Sequence, residues 1–284
     1  MLSIVTHLEA SIFNAEPLSD TIKKEMLVKK TWNPSCPVPF ERLRLVKFSY
    51  YDFDGTPHDN GELVVLDAVA KPALEILKTL FERKFPIHKA RRIEHYEGDD
   101  EASMKDNNSS CFNWREITGG GLSSIHSYGL AIDINPLQNP YVAPHDESNA
   151  HQGCAKVLPA SGMSYLNRTN MRPGMAESIK NLFAENGFTI WGGNWNDPID
   201  WQHFQPSRAV AQLLAVMNFE DASVFFRMYA QQPKMLNAVD AKQNKLVDFY
   251  TQNPIKFMQT LEHNRDLLKM EPLEAYEAIE KCMQ

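Results

Sequence analysis

The sequence predicts an α+β fold, in which a small antiparallel sheet packs against helices and an all-helical extension follows at the C-terminus. Two segments of strand-like composition flank a turn at Asp54–Gly55, and a helical pattern follows at 71–84. No glycine occurs beyond Gly193, and apolar residues after that point recur at helical spacing, which indicates a bundle of four or five helices. With 284 residues, of which 43% are hydrophobic, the chain can bury a sizeable core in one or two domains.

Local patterns predict the remaining elements in chain order. Residues 1–40 are interpreted as an N-terminal leader segment that is helical around 21–29. The other expected elements are strands at 43–53 and 62–65, an amphipathic helix at 71–84, a strand that starts at Phe85, a helix at 177–186 closed by Gly187, and a strand at 188–191. The polar segment 137–173 is interpreted as a long loop, of the kind that is usually either a functional lid or disordered.

Charge and hydropathy exclude several classes of protein. The net charge of −7 and the absence of any basic run argue against nucleic-acid binding. No stretch approaches the roughly 18 apolar residues that a membrane span needs. The N-terminus lacks the pattern of a secretory signal, because its first lysine is Lys23 and Glu9 interrupts its only apolar stretch. The chain is therefore expected to be made as a cytoplasmic protein.

The cysteines are scattered and form no C-x-x-C pair, so they are predicted to be free thiols and not metal ligands. They are Cys36, Cys111, Cys154 and Cys282.

The segment 124–135 contains the first of two motifs that point to chemistry. Apolar and other residues alternate from 130 to 135, which is the period of a strand with one apolar face. Asp133 is then expected to face away from the core, on the same side as Ala131, whose small side chain leaves room for a metal and its ligands. His126 precedes the strand across a turn that Gly129 can relax.

The second motif is Asp200-Trp-Gln-His203. A short extended piece at 203–205 would point Phe204 to the core and His203 to the opposite side. Two histidines and one carboxylate suit a zinc ion with one open position, and Asp200 beside them can act as general base. A single buried histidine is more often a hydrogen-bonded core residue, but the combination of both motifs favours a hydrolytic zinc site.

The two motifs together resemble the signature of the M15 zinc peptidases, the group of D-alanyl-D-alanine carboxypeptidases and L-alanyl-D-glutamate endopeptidases. The matching positions are Ser124, His126, Gly129, Ala131, Asp133, Asp200 and His203. Further similarity to one bacterial branch extends the resemblance over roughly 42–205. It implies that His126, Asp133 and His203 bind Zn²⁺ and that Asp200 is the general base. Many relatives carry glutamate at that last position, and aspartate is one methylene shorter.

The same resemblance implies an arginine that holds the substrate and stabilises the oxyanion. Arg115 is the predicted residue, because it ends a polar and aromatic run that leads toward the site. Arg91 and Arg92 are alternatives, and each of these arginines can equally be a solvated surface charge. Ser124 and Tyr128, which flank His126, are predicted to contact the substrate.

Other residues fit two interpretations. Trp195 and Trp201 either wall the cleft or belong to the core, and Tyr165 and Arg168 in the polar segment could meet the substrate.

The sequence therefore predicts a leader at 1–40, a zinc peptidase domain at 41–206 and a helical extension at 207–284 that could bind a protein partner. The predicted reaction is hydrolysis of amide bonds in peptidoglycan stem peptides, by a D,D-carboxypeptidase or an endopeptidase. Such a substrate lies in the cell wall or periplasm, so the chain would act as a phage lysin, an injected effector or by another export route. The alternative is a non-catalytic zinc-containing binding module, since the signalling domain of hedgehog proteins resembles this family in fold.

Overall fold

The computed structural model describes residues 11–115, 123–143, 155–235 and 272–283, together with residues 249, 252–253, 256–257 and 259–260. Helices and small antiparallel sheets share one hydrophobic core in this part of the chain. The predicted α+β class agrees with this architecture. No helix within the described ranges is long and apolar enough to cross a membrane.

The largest sheet contains β1 (Phe13–Pro17), β2 (Leu43–Tyr51) and β3 (Pro57–Leu66), antiparallel and in that order. Asp52 Oδ1 accepts the backbone N–H groups of Asp54 and Thr56, both at 2.9 Å, and so forms the predicted turn between β2 and β3. Sequence analysis missed β1, because this edge strand is mostly exposed and shows no alternation.

Two helices pack beside this sheet. Helix α1 (Asp20–Val28) begins at Ser19, whose hydroxyl accepts the N–H of Ile22, and it confirms the helix predicted in the leader. Helix α2 (Ala70–Glu82) confirms the predicted amphipathic helix and buries one face against β2.

The remaining strands are short and form three further sheets in the described part of the chain. They are β4 (Lys89–Ala90) and β5 (Asn108–Ser109), which pair in parallel; β6 (Ile132–Asp133), β11 (His203–Gln205) and β9 (Ile190–Trp191), antiparallel in the order β6-β11-β9; and β7 (Tyr141–Ala143), β8 (Lys156–Leu158) and β10 (Ile199–Asp200), antiparallel in the order β10-β7-β8. Helices α3 (Asp100–Lys105) and α4 (Lys180–Glu185) lie between them in the chain.

Several predicted elements are shorter than the sequence suggested. The strand expected from Phe85 contains two strand residues, β4, before the chain turns into a 3-10 helix at Ile93–Tyr96. The strand predicted at 130–135 is reduced to β6, and both of its faces are buried, so the alternation did not separate core from surface. Helix α4 begins only after a 3-10 turn at Ala176–Ser178.

The segment 137–173 is not a plain loop. It contains β7, β8 and a 3-10 turn at Ala160–Tyr165, while residues 144–154 lie outside the described part of the chain. Cys154 falls in this range, and the other three cysteines are free, as predicted.

The C-terminal helices in the described residues are α5 (Arg208–Val216), α6 (Phe219–Met235) and α7 (Pro272–Met283). They bury aromatic side chains in the same core as the sheets. Phe226 meets Phe188 edge-on with ring centroids 6.0 Å apart, and Tyr229 Oη lies 2.6 Å from Thr189 Oγ1. The boundary predicted at residue 207 stays a prediction, although the helices pack directly on the elements before it.

Arg42 connects the C-terminal helices to the first sheet. Its guanidinium pairs with both carboxylate oxygens of Asp67, at 2.7 and 2.9 Å, and the Asp67 side chain is 1% exposed. The same guanidinium donates to the carbonyl of Leu214 at 3.2 Å and to that of Met217, at the end of α5. A cation there is favourable because the last carbonyls of a helix carry partial negative charge.

We predict that Arg42→Ala lowers the free energy of unfolding by about 3 kcal/mol, because it removes the closer charge partner of the buried Asp67 carboxylate and leaves only Arg44, at 4.0 Å. Urea unfolding measures this loss. Lys47→Ala is the control, since Lys47 pairs with Glu16 at 2.6 Å while both side chains are at least 40% exposed. The control is expected to change stability by less than about 1 kcal/mol, and an equal loss in both variants would contradict the assignment.

Candidate metal centre and active site

The pairing of β6 with β11 brings two of the three predicted ligands, Asp133 and His203, together. In the antiparallel pair β6–β11, Asp133 lies directly opposite His203, so the two side chains share one face of the sheet. Phe204, the next residue, faces the other way and stacks on Phe183 with ring centroids 4.0 Å apart. Asp133 is also hydrogen-bonded through its backbone N–H and carbonyl to Ser110 on the opposite edge, at 2.9 and 3.0 Å. The position of the carboxylate is therefore fixed from both sides.

His126 reaches the same place from a 3-10 turn, Ile125–Tyr128. Ser124 Oγ accepts the N–H of His126 at 3.3 Å and so starts the turn, and Gly129 ends it with a φ of +66°. The carbonyl of Gly129 accepts the N–H of Leu66 at 2.9 Å, and a Cβ on Gly129 would lie 2.7 Å from that same nitrogen. Glycine is needed here for its backbone conformation and for the close approach of β3.

Nitrogen and oxygen atoms of the three side chains converge in a buried cluster. His203 Nδ1 lies 2.9 Å from Asp133 Oδ1 and 3.2 Å from His126 Nε2, and His126 Nε2 lies 3.3 Å from Asp133 Oδ2. Their exposed fractions are 4% for His126, 8% for Asp133 and 6% for His203. Among the described residues, these three form the group that could hold a metal ion.

The outward nitrogens of both rings have acceptors. His126 Nδ1 lies 2.5 Å from the carbonyl oxygen of Cys111, and His203 Nε2 lies 2.7 Å from Gln205 Oε1. Each ring can donate its N–H to that acceptor and present an unprotonated nitrogen to the cluster.

The donor set and its spacing fit zinc. Ligand atoms about 2.0 to 2.1 Å from a tetrahedral ion are separated by roughly 3.3 Å, which is close to the separations within this cluster. Two imidazoles and one carboxylate are also a typical protein ligand set of catalytic zinc. The structure thus supports a metal site of the predicted composition.

The charges in the cluster are strongly coupled. Burial alone would raise the pKa of Asp133, but His126 and His203 outweigh it and hold that pKa well below its usual range. Burial lowers the pKa of His203, but the hydrogen bond and charge of Asp133 outweigh this effect and raise it to about 9.

Asp200 is a second buried carboxylate at this site. It ends β10, and a two-residue turn leads from it to His203. Burial, followed by repulsion from Asp133, raises the pKa of Asp200 to about 7. Its Oδ1 atom is buried and has no hydrogen-bond partner in the described part of the chain. A divalent cation among the ligands would lower this pKa, because positive charge favours the ionised carboxylate.

Arg115 is attached to the turn that carries His126. Its N–H donates to Ser127 Oγ at 3.0 Å, and its carbonyl accepts the N–H of Ser124 at 2.9 Å. Its guanidinium pairs with Asp100 at the N-terminus of α3, and the side chain is 36% exposed. Contact of Arg115 with substrate stays a prediction.

The alternative arginines are placed differently. Arg92 pairs with Glu25, Glu62 and Glu94 and joins α1 to β3, so its role in the fold is accounted for. Arg91 lines a separate cavity with Tyr50 and His58.

The other predicted contact residues have structural neighbours. The Ser124 hydroxyl begins the His126 turn, and Tyr128 is 7% exposed within the hydrophobic core. Contact of either residue with substrate stays a prediction. Arg168 is held by Glu177 at 2.6 Å and lies 4.9 Å above the ring of Trp201, which packs on the core. The ring of Trp195, in contrast, lies 5.4 Å from that of His203 and can wall the cleft.

Sequence reasoning missed three groups at this site. Two are the acceptors of the outward ring nitrogens, the Cys111 carbonyl and Gln205. The third is Tyr141, which lies directly opposite Asp200 in the β7–β10 pair, and whose side chain therefore shares its face. The position of Gln205, two residues after His203 in an extended segment, was a signal that could have been used.

Comparison with known families agrees with this geometry. Residues 118–206 match a family model of the M15 peptidases that is described as D-alanyl-D-alanine carboxypeptidase. This match supports an M15 family peptidase. The matched segment includes the three ligand residues and Asp200, so the resemblance predicted from the sequence is confirmed. No curated protein and no solved structure matches the chain.

Within the M15 segment, Gly129 is predicted to be irreplaceable. Gly129→Ala is expected to lower the free energy of unfolding by at least about 3 kcal/mol, since alanine is strained at positive φ and its Cβ meets the Leu66 backbone. Urea unfolding measures the loss.

Gly55→Ala is a matched control, because Gly55 also has a positive φ, +76°, but a Cβ there would meet nothing within 4 Å. It is expected to cost only about 1 to 2 kcal/mol, from backbone strain alone. Equal losses at the two positions would show that the approach of β3 to Gly129 is not a constraint.

Proposed function

We propose that the chain is a zinc-dependent peptidase that hydrolyses amide bonds in peptidoglycan stem peptides. The observation that carries the proposal is the convergence of His126, Asp133 and His203 near Asp200, whose Oδ1 atom is buried and has no partner among the described residues. The M15 match supports a hydrolase, and its description names a D-alanyl-D-alanine carboxypeptidase. The proposal includes action at the cell wall or in the periplasm.

His126 Nε2, His203 Nδ1 and the Asp133 carboxylate would hold the zinc. When bound, zinc supplies Lewis-acid chemistry, which polarises a carbonyl group and makes water more acidic. Asp133 balances part of the positive charge, and the two imidazoles add none when they bind through an unprotonated nitrogen.

Asp200 serves as the general base and then as the general acid. Its carboxylate takes a proton from the attacking water as the water oxygen bonds to the scissile carbonyl carbon. It then gives the proton to the amide nitrogen as the C–N bond breaks, so that an amine and a carboxylic acid leave. Gly192 lets the chain pass close to Asp200, because a Cβ on Gly192 would lie 2.5 Å from the Asp200 carbonyl oxygen.

Arg115 would hold a substrate carboxylate or stabilise the developing oxyanion. Its backbone is tied to the His126 turn, so the side chain starts close to the ligands. The ion pair with Asp100 limits the directions in which the guanidinium can point. A guanidinium donates two parallel N–H bonds and therefore matches a carboxylate well.

Digestion of purified peptidoglycan fragments by the zinc-loaded protein, followed by mass spectrometry, tests the function. Loss of a terminal alanine would identify a carboxypeptidase, and cleavage within the stem or cross-bridge an endopeptidase. We expect Asp200→Asn to lower turnover by at least about 100-fold, because the amide cannot accept the proton from water. Zinc content, measured by elemental analysis, should stay at one equivalent.

Asp54→Asn is the control, because Asp54 is exposed in the turn between β2 and β3 and should not affect turnover. Wild-type turnover by Asp200→Asn would contradict the base assignment. Zinc binding without cleavage of any fragment would contradict the peptidase proposal and favour the binding-module alternative.

We also predict that Arg115→Met lowers kcat/KM by about 100-fold, because the substrate loses its charged partner, while zinc affinity stays unchanged. Steady-state kinetics on the cleaved fragment measures the effect. Arg91→Met is the control, as it removes an arginine that lines a different cavity. A loss with Arg91→Met and none with Arg115→Met would reassign the substrate arginine.

A further inference from the structure

The two ring nitrogens of His203 face different neighbours. Nδ1 points into the ligand cluster, 2.9 Å from Asp133 Oδ1, while Nε2 lies 2.7 Å from Gln205 Oε1. The orientation of this ring therefore depends on a side chain outside the ligand set.

The strand fixes this contact. His203 and Gln205 are separated by one residue in β11, so their side chains emerge on the same face. Phe204 between them is fully buried, and the backbone of Gln205 pairs with Ile190 in β9.

The chemistry of the contact decides which nitrogen can bind metal. A carboxamide oxygen only accepts hydrogen bonds, so Nε2 is the donor in this contact, and Nδ1 is the nitrogen that can bind a metal when it carries no proton. At His126 the corresponding acceptor is the backbone carbonyl oxygen of Cys111, which lies 2.5 Å from Nδ1. Gln205 is a side chain, so substitution can test it.

We propose that Gln205 is a positioning residue of the metal site, which holds the His203 ring in the orientation and protonation pattern that presents Nδ1 to zinc. This inference rests on the proposed function only in taking zinc as the metal. Acceptors that contact the outer nitrogen of a ligating histidine typically contribute 10- to 100-fold to metal affinity.

Zinc affinity, measured by competition with a chromogenic chelator, is the test. Gln205→Leu removes the acceptor and is expected to weaken zinc binding by about 10- to 100-fold. Gln205→Glu keeps an acceptor oxygen and should stay within about threefold of the wild-type affinity. His203→Ala gives the reference for loss of the ligand itself.

Gln138→Leu is the matched control. The Oε1 atom of this buried glutamine also accepts a hydrogen bond, but from Asn107 Nδ2 at 3.0 Å and not from a ligand. The control is expected to keep wild-type zinc affinity. If it weakened binding as much as Gln205→Leu, or if Gln205→Leu kept wild-type affinity, the proposal would be overturned.

A second measurement does not depend on the folding of any variant. In zinc-loaded wild-type protein, the hydrogen bond should slow the exchange of the His203 Nε2 proton with water, so that it gives an observable NMR resonance. Rapid exchange of that proton would overturn the proposal. Failure to cleave peptidoglycan would defeat the proposed function but leave the order of zinc affinities among the variants, and hence this inference, intact.

Discussion

The register of β6 against β11 is the constraint on which the site depends. It places Asp133 opposite His203, two residues that are 70 positions apart in the chain. A shift of one residue would turn one of them into the core and Phe204 toward the cluster. The register is held by the burial of Phe204 against Phe183 and by the hydrogen bonds between Asp133 and Ser110. The geometry of the three candidate ligands is thus set by apolar packing and backbone pairing.

The sheet of β1, β2 and β3 also supports this site. The end of β3 reaches Gly129, and through it the turn that carries His126. Arg42 connects the C-terminal helices to this sheet, and α5 also packs against the turn that carries His126. Elements that carry no ligand therefore still fix the position of one. The position of these three side chains therefore depends on packing in the shared hydrophobic core, which runs from Leu18 to Ile279.

The sequence was most informative where side-chain identity decides the chemistry. The three candidate ligands, which the structure brings together, and Asp200 were singled out from residue type and spacing, and long periodic elements such as α2 were found close to their observed bounds. Most of the two- and three-residue strands were not predictable, because so few residues show no period, whereas β11 was expected at 203–205 from the second motif. The segment 130–135 misled for a related reason, since it is buried on both faces and its apolar alternation did not mark a surface. Tyr141 was missed because only the β7–β10 pairing brings it to Asp200.

The two carboxylates explain why this cluster suits a cation. Asp133 and Asp200 are both buried, and burial, followed by repulsion from Asp133, raises the pKa of Asp200 to about 7. The histidines compensate Asp133 through direct hydrogen bonds, but Oδ1 of Asp200 has no such partner among the described residues. Replacing Asp200 by an apolar residue would remove that repulsion. The two buried carboxylates therefore lower the free energy of unfolding. A bound divalent cation would offset the repulsion and stabilise the folded state by an amount that grows with the logarithm of the ratio of its concentration to its Kd. The stability of the fold would therefore depend on metal binding at the site.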